Sequence, residues 1–158
     1  MKKFFLVIAI PIGILVLTIP LIILNQSDDP SGTHDDPNEW LEFIGSNWEV
    51  KFEKAEKEGY EKSSVDGFHG DGCRFVVSQY KDGKSAKGTF PWRKVKANED
   101  AEEIEEVLES LEIDSKYRPD YMNSLIYKKY KDKTKYDKLL IVYDPRKPNN
   151  LYVMESHI

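Results

Sequence analysis

The run Val65-Asp66-Gly67-Phe68-His69-Gly70-Asp71-Gly72-Cys73 gathers a histidine, two aspartates and the only cysteine of the chain around three glycines. If the backbone is already extended here, His69, Asp71 and Cys73 alternate onto one face and present a base, an acid and a thiol at strand spacing. Such a set could hydrolyse a bond, either with His69 and Asp71 as base and acid or with Cys73 held as thiolate beside His69. The same alternation groups Cys73 with Phe75 and Val77, the expected core face, where a small thiol serves as packing. No other nucleophile signature completes the set.

The simpler reading of the run is a glycine turn. Gly67, Gly70 and Gly72 would take backbone conformations closed to other residues, while Asp66 or Asp71 hydrogen-bonds nearby amides. A turn on a rigid scaffold also displays recognition residues, so Phe68, His69 and Asp71 are the expected ligand contacts. A metal is not expected: the acids of the run do not fit a calcium loop, and His34, His69 and His157 show no paired zinc spacing. No cofactor signature is present either.

The elements that would position this loop follow from periodicity. Asp36-Pro37-Asn38-Glu39 reads as a helix start, Trp40, Leu41, Phe43 and Ile44 follow at helical spacing, and Gly45 is a natural stop. Trp48, Val50 and Phe52 then alternate with charged residues as in a half-buried strand, with a longer first helix as the alternative. Residues 56–64 are polar and read as a return loop before a strand that begins near Cys73. Lys81-Asp82-Gly83-Lys84 reads as a hairpin turn, with Thr89-Phe90-Pro91-Trp92 ending the returning strand. Asn98 to Ile113 is the clearest helix, its stripe made of Ala101, Ile104, Val107, Leu108 and Leu111. Tyr121 to Tyr130 fits either a strand or a short helix. Leu139–Tyr143 and Leu151–Glu155 flank turn chemistry and predict a closing hairpin.

Ahead of all this, Phe4 to Leu24 is a run of 21 uncharged residues that would span roughly 31 Å as a helix, the thickness of a bilayer's hydrocarbon core. Lys2 and Lys3 precede it and Asp28, Asp29, Asp35 and Asp36 follow it. The lysine bias places the N-terminus in the cytoplasm and the rest outside. The apolar core is longer than that of a cleaved signal and no A-x-A site follows, so an uncleaved anchor is expected. The division is therefore 1–24 transmembrane anchor, 25–36 flexible acidic stalk and 37–158 extracytoplasmic domain. With one cysteine, that domain must hold together by its core, without an internal disulfide.

The formal net charge is −5, and the two lysines before the span do not belong to the domain, which is more acidic still. That argues against nucleic acid as a partner. Charge is also segregated: Glu99 to Asp114 holds nine acids and no base, whereas Lys116 to Lys138 holds eight bases and three aspartates. Tyr117, Tyr121, Tyr127, Tyr130 and Tyr136 interleave with those bases. Such a surface suits an anionic envelope polymer or phospholipid headgroups, beside the plainer reading that the tyrosines pack the sheet while the lysines solvate it.

The Gly67-Phe68-His69-Gly70-Asp71-Gly72 core, the following strand, the aromatic-Pro-Trp segment, the acidic helix and the closing Tyr-Asp-Pro…Leu-Tyr-Val-Met-Glu hairpin resemble a group of small, membrane-anchored, uncharacterised proteins of low-GC Gram-positive bacteria. The resemblance covers roughly Trp48 to Glu155. It implies a bacterial cell envelope and no particular activity. The chain is thus expected to be α+β, with an antiparallel sheet of about four to six strands packed by one or two helices after a single transmembrane helix. Its expected role is that of a non-enzymatic binding or inhibitory module for a protein or an anionic envelope polymer, immunity to a secreted toxin falling within that class. The alternative is a small envelope hydrolase using His69 and Asp71, or Cys73.

Overall fold

Leu41, Ile44 and Trp48 recur three and four residues apart, and all three are buried. They form the inner stripe of helix α1, Glu39–Trp48. The computed structural model describes residues 36, 38–64, 71–131 and 136–157. The expected span at 4–24 and nearly all of the stalk lie outside the described residues. Among the described residues no helix is long and apolar enough to cross a membrane.

Helix α1 does not stop at Gly45 but runs one further turn and ends at Glu49, which takes a left-handed conformation with φ of 51°. Gly45 serves packing instead. The chain folds back so closely that Val50 N–H donates to the Gly45 carbonyl at 3.0 Å. A Cβ on Gly45 would stand 2.8 Å from the Val50 oxygen. The strand expected from Trp48 is absent. Trp48 ends the helix, and residues 50–55 belong to no strand. Val50 and Phe52 pack on the core from this unpaired segment, and one-sided burial alone produces the alternation.

The sheet has six strands: β1 Lys57–Ser63, β2 Gly72–Gln79, β3 Arg93–Lys94, β4 Leu125–Tyr130, β5 Lys138–Tyr143 and β6 Asn150–His157. Their order is β1-β2-β6-β5-β4-β3 and every pairing is antiparallel. Strand β1 occupies the segment expected as a return loop. It is an edge strand in which, among the described side chains, Tyr60 and Glu61 are the ones turned inward, and its sequence lacks an apolar pattern. The expected hairpin at Lys81–Lys84 is also absent. Asp82 accepts the Ser85 N–H at 2.8 Å and caps a short helix, α2 (Gly83–Lys87), that carries the chain out of the sheet. Residues 89–92 form no strand, and β2 pairs instead with the last strand, β6.

The remaining elements are close to expectation. Helix α3 spans Asp100–Ser110. Tyr121–Asn123 is a short 3-10 turn leading into β4, so both readings of that segment are realised in succession. β5 and β6 form the closing hairpin.

Antiparallel sheets often leave one face wet, but here both are covered. α1 covers one face, packing on Val76, Leu139, Ile141, Leu151 and Val153. α3 covers the other, packing on Phe75, Leu140, Val142, Tyr152 and Met154. All six residues of β5 are buried. The fold is therefore α+β, a six-stranded antiparallel sheet between two helices.

Helix α3 is anchored by charge as well as by its apolar stripe. Asp100 is fully buried. It accepts a forked pair of hydrogen bonds from Arg93, the N–H of Lys96 at 2.7 Å and the Lys128 ammonium at 2.9 Å. Burial would raise its carboxyl, but these donors hold it far below the usual carboxylate range. The acidic helix thus meets the basic strands: Glu103 binds Lys128 and the Tyr130 hydroxyl, Glu106 binds Lys138, and Glu105 binds Arg118.

Gly45→Ala is expected to destabilise the domain by about 1–3 kcal/mol, the usual range for forcing an extra methyl into a packed contact. Its thermal midpoint should fall by several degrees. An unchanged midpoint would show that the α1 fold-back does not depend on this close approach.

Candidate functional site

Strand alternation sends Arg74 of β2 and Glu155 of β6 to the α1 side, and the register sets them directly opposite one another. Two residues further along β6, His157 lies on the same side, opposite Gly72. The last turn of α1 lowers Trp48 onto this group. The Glu155 carboxylate is fully buried. Its Oε1 accepts the Trp48 indole N–H at 2.6 Å and His157 Nε2 at 2.9 Å, and its Oε2 accepts from Arg74 at 2.8 Å. His157 Nδ1 faces Asp137 at 3.4 Å.

The electrostatics follow from these contacts. Burial would raise the Glu155 carboxyl, but His157, Trp48 and Arg74 together hold it below its ordinary value. Glu155 in turn raises the His157 imidazole above its ordinary value, against burial and the nearby Lys131 charge. With a carboxylate facing each nitrogen, His157 bridges Glu155 and Asp137, and both carboxylates favour its protonated form. The cluster is a lock between α1 and the sheet.

Outside the lock lies an aromatic surface, with Arg74 itself buried beneath it. The Arg74 guanidinium lies 3.9 Å from the centroid of Trp40 and 5.2 Å from that of Phe43. Trp40 and Phe43 meet edge to face at 5.8 Å. Phe43 is 48% exposed, although it sits on a helix whose other large apolar groups turn inward. Lys131 lies 5.1 Å over the Trp48 ring, and Lys129 binds the Trp48 carbonyl and pairs with Glu49. An open groove of about 330 Å³ between Asn47, Glu49, Tyr130 and Lys131 runs past Trp48.

The site residues named from the sequence are distributed differently. Phe68 and His69 lie outside the described residues. Asp71 is exposed at the start of β2. Cys73 is half-buried on the opposite face of β2 from Arg74, packed against the α3-side core. Its backbone is held by Ser64, whose Oγ accepts the Cys73 N–H at 3.0 Å. Among the described residues no group of three or more His, Cys, Asp or Glu side chains is arranged to hold a metal ion. Of the tyrosines, Tyr127 packs on the α1-side core, Tyr117 and Tyr121 on the α3-side core, and Tyr136 is exposed.

The Arg74–Glu155–His157–Trp48 group escapes sequence reading because its members lie up to 109 positions apart, between Trp48 and His157. The one local signal is the spacing of Glu155 and His157, two residues apart at the end of a strand, which places both on one face.

Removing one partner of a buried ion pair leaves the other charge unmatched, at a cost of about 3–5 kcal/mol. Glu155→Gln is therefore expected to lower the thermal midpoint by about 10 °C or more. A shift of only a degree or two would mean that the carboxylate is not what holds α1 down.

The sign of the pH dependence follows from the two shifts. Because the His157 value is raised on folding, its contribution is complete below the ordinary value of 6.5 and is lost as pH rises through the raised value. Because the Glu155 value is lowered, its contribution is complete above 4.5 and is lost as pH falls through the lowered value. Wild-type protein should melt at a lower temperature at pH 8.5 than at pH 6, and His157→Gln should shrink that difference. Parallel melting curves for the two proteins across this range would contradict the bridge. No protein-family model, no curated protein and no solved structure matches the chain.

Proposed function

We propose that the chain is a single-pass, membrane-anchored extracytoplasmic module of the bacterial cell envelope, non-enzymatic, that binds or inhibits a partner protein. Residues 4–24 serve as the anchor, with the N-terminus cytoplasmic and the domain outside, in line with the uncharged run, the lysines before it and the aspartates after it. The resemblance to small anchored proteins of low-GC Gram-positive bacteria agrees with that placement.

The observation that carries the binding reading is the Trp40–Phe43–Arg74 platform. Trp and Arg are enriched among residues that dominate binding energy, and they act best when held rigid before the partner arrives. Arg74 is immobilised from below by Glu155 while its guanidinium supports Trp40, and Phe43 stands exposed beside them. The glycine loop adds a second contact region, formed by Phe68, His69 and Asp71. The chemistry of the Glu155 cluster points the same way, because its histidine is occupied at both nitrogens by carboxylates.

A photoreactive amino acid placed at Phe43 in the full-length protein, in its own membrane, should cross-link to one defined protein. The same group at Glu106, on the opposite face, should not. Phe43→Ser should prevent capture of that partner while leaving the thermal midpoint nearly unchanged, as is usual for a half-exposed surface position. Equal adducts from both positions, or partner capture that survives Phe43→Ser, would rule out this surface.

A further inference from the structure

One end of the sheet carries a group of exposed lysines. Where β2 ends and β6 begins, the segment holding α2 and the 144–149 turn lie side by side. Tyr80 N–H donates to the Asn149 carbonyl at 2.8 Å, and Asn149 Nδ2 donates to the Lys81 carbonyl at 3.5 Å. A Cβ on Gly83 would stand 2.9 Å from the Tyr143 hydroxyl and 3.1 Å from Pro148. These touching turns expose Lys81, Lys84, Lys87, Arg146 and Lys147. Their carboxylates are occupied: Asp82 caps α2, and buried Asp144 accepts the N–H groups of Asp120 and Arg146. Arg146 is paired with Asp120 and Asp144. Lys81, Lys84, Lys87 and Lys147 are exposed here, Lys147 also donating to the Arg118 carbonyl at 3.2 Å, in a protein whose acids outnumber its bases.

The described chain begins at the same end. Asn38 exchanges hydrogen bonds with Ala55 at 2.8 and 3.4 Å, the Glu56 N–H donates to the Gln79 carbonyl at 2.8 Å, and Lys57 is in register with Gln79. Asn38 is thus linked through residues 55–57 to the end of β2 from which Lys81 follows.

We propose that this pole, Lys81, Lys84, Lys87 and Lys147, is a membrane-facing surface that rests on anionic lipid headgroups, resting on the reading that residues 4–24 are the anchor. Position and chemistry both favour a lipid surface over a soluble partner. The pole lies at the end of the sheet where the described residues of the domain begin. Its cations are flexible single amines, suited to diffuse attraction by many phosphates, not the forked guanidinium that recognises one. A stalk from Asn25 to Asp35, extended at about 3.3–3.6 Å per residue, can reach well beyond contact distance, so the tether permits docking without enforcing it. Each lysine near an anionic surface strengthens association by roughly fivefold, and salt screens the effect. In the docked orientation β6 runs away from the bilayer and presents its His157 end outward.

The test uses the full-length chain with neutral phosphatidylcholine vesicles and with vesicles containing phosphatidylglycerol. Flotation with the neutral vesicles reads the anchor alone. Amide hydrogen exchange reads the pole: exchange at 82–88 and 144–150 should be slower on the anionic vesicles. The protection should vanish in high salt and in the variant K81Q/K84Q/K87Q/K147Q, while β5 and β6 exchange unchanged as the control for folding. Protection that ignores lipid charge, or that survives in the variant, overturns the proposal. So does protection by soluble polyphosphate with none from anionic lipid, which would mark the pole as a polymer site. Failure to float with neutral vesicles would refute the anchor alone, since charge-dependent protection by the same lysines would still establish the pole.

Discussion

The Glu155 carboxylate is buried between the sheet and α1, and its donors come from three separate elements. Trp48 arrives from the helix, Arg74 from the neighbouring strand and His157 from its own strand. A buried carboxylate is tolerated only when its charge and lone pairs are met, so the group favours the one arrangement in which all three donors converge. Several local features serve that arrangement. Helix α1 must pass through Gly45 to deliver Trp48, the chain must then fold back against Gly45, and Lys129 reaches the Trp48 carbonyl at the negative end of the helix. The Trp40–Phe43 pair is supported for the same reason, because buried Arg74 beneath it is held by Glu155.

The opposite face repeats the device at a helix N-terminus. Asp100 is buried where α3 begins, and Arg93, Lys128 and the Lys96 N–H converge on it. Around it the acids of α3 meet the bases of β4, β5 and the segment before β4, so segments that look strongly charged in the sequence largely neutralise one another in space. The lysines of the α2 and β5–β6 turns have no such partner helix. An acidic protein thereby gathers exposed lysines on two touching turns, and the grouping arises from topology, not from composition.

What was legible in the chain was mostly what is apolar and local. The stripe of α3 and the β5–β6 hairpin declare themselves because buried residues recur at a fixed period within a single element. Reading failed where burial and hydrogen bonding part company. Val50 and Phe52 alternate like a strand yet have no ladder, while β1 has a ladder but almost no apolar pattern, because an edge strand needs only one paired side. At Asp82-Gly83 the same residues suit a hairpin turn or a helix cap, and the choice depends on whether the next segment pairs with β2. It does not, since β6 already occupies that edge.

The candidate site divides in the same way. The glycine run around His69 is visible because its residue types are crowded in sequence, whereas Arg74, Glu155, His157 and Trp48 meet only through strand register and the length of one helix. Sequence by itself determined the amphipathic helix, the closing hairpin, the segregation of acids and bases and the uncharged N-terminal run, each a property of neighbouring residues. Tertiary structure alone decided which carboxylates are buried, which cations are matched and where the lysine turns lie relative to the start of the domain. Those outcomes depend on non-local pairing across the sheet, where a shift of one residue in register would turn Arg74 and Glu155 to the other face.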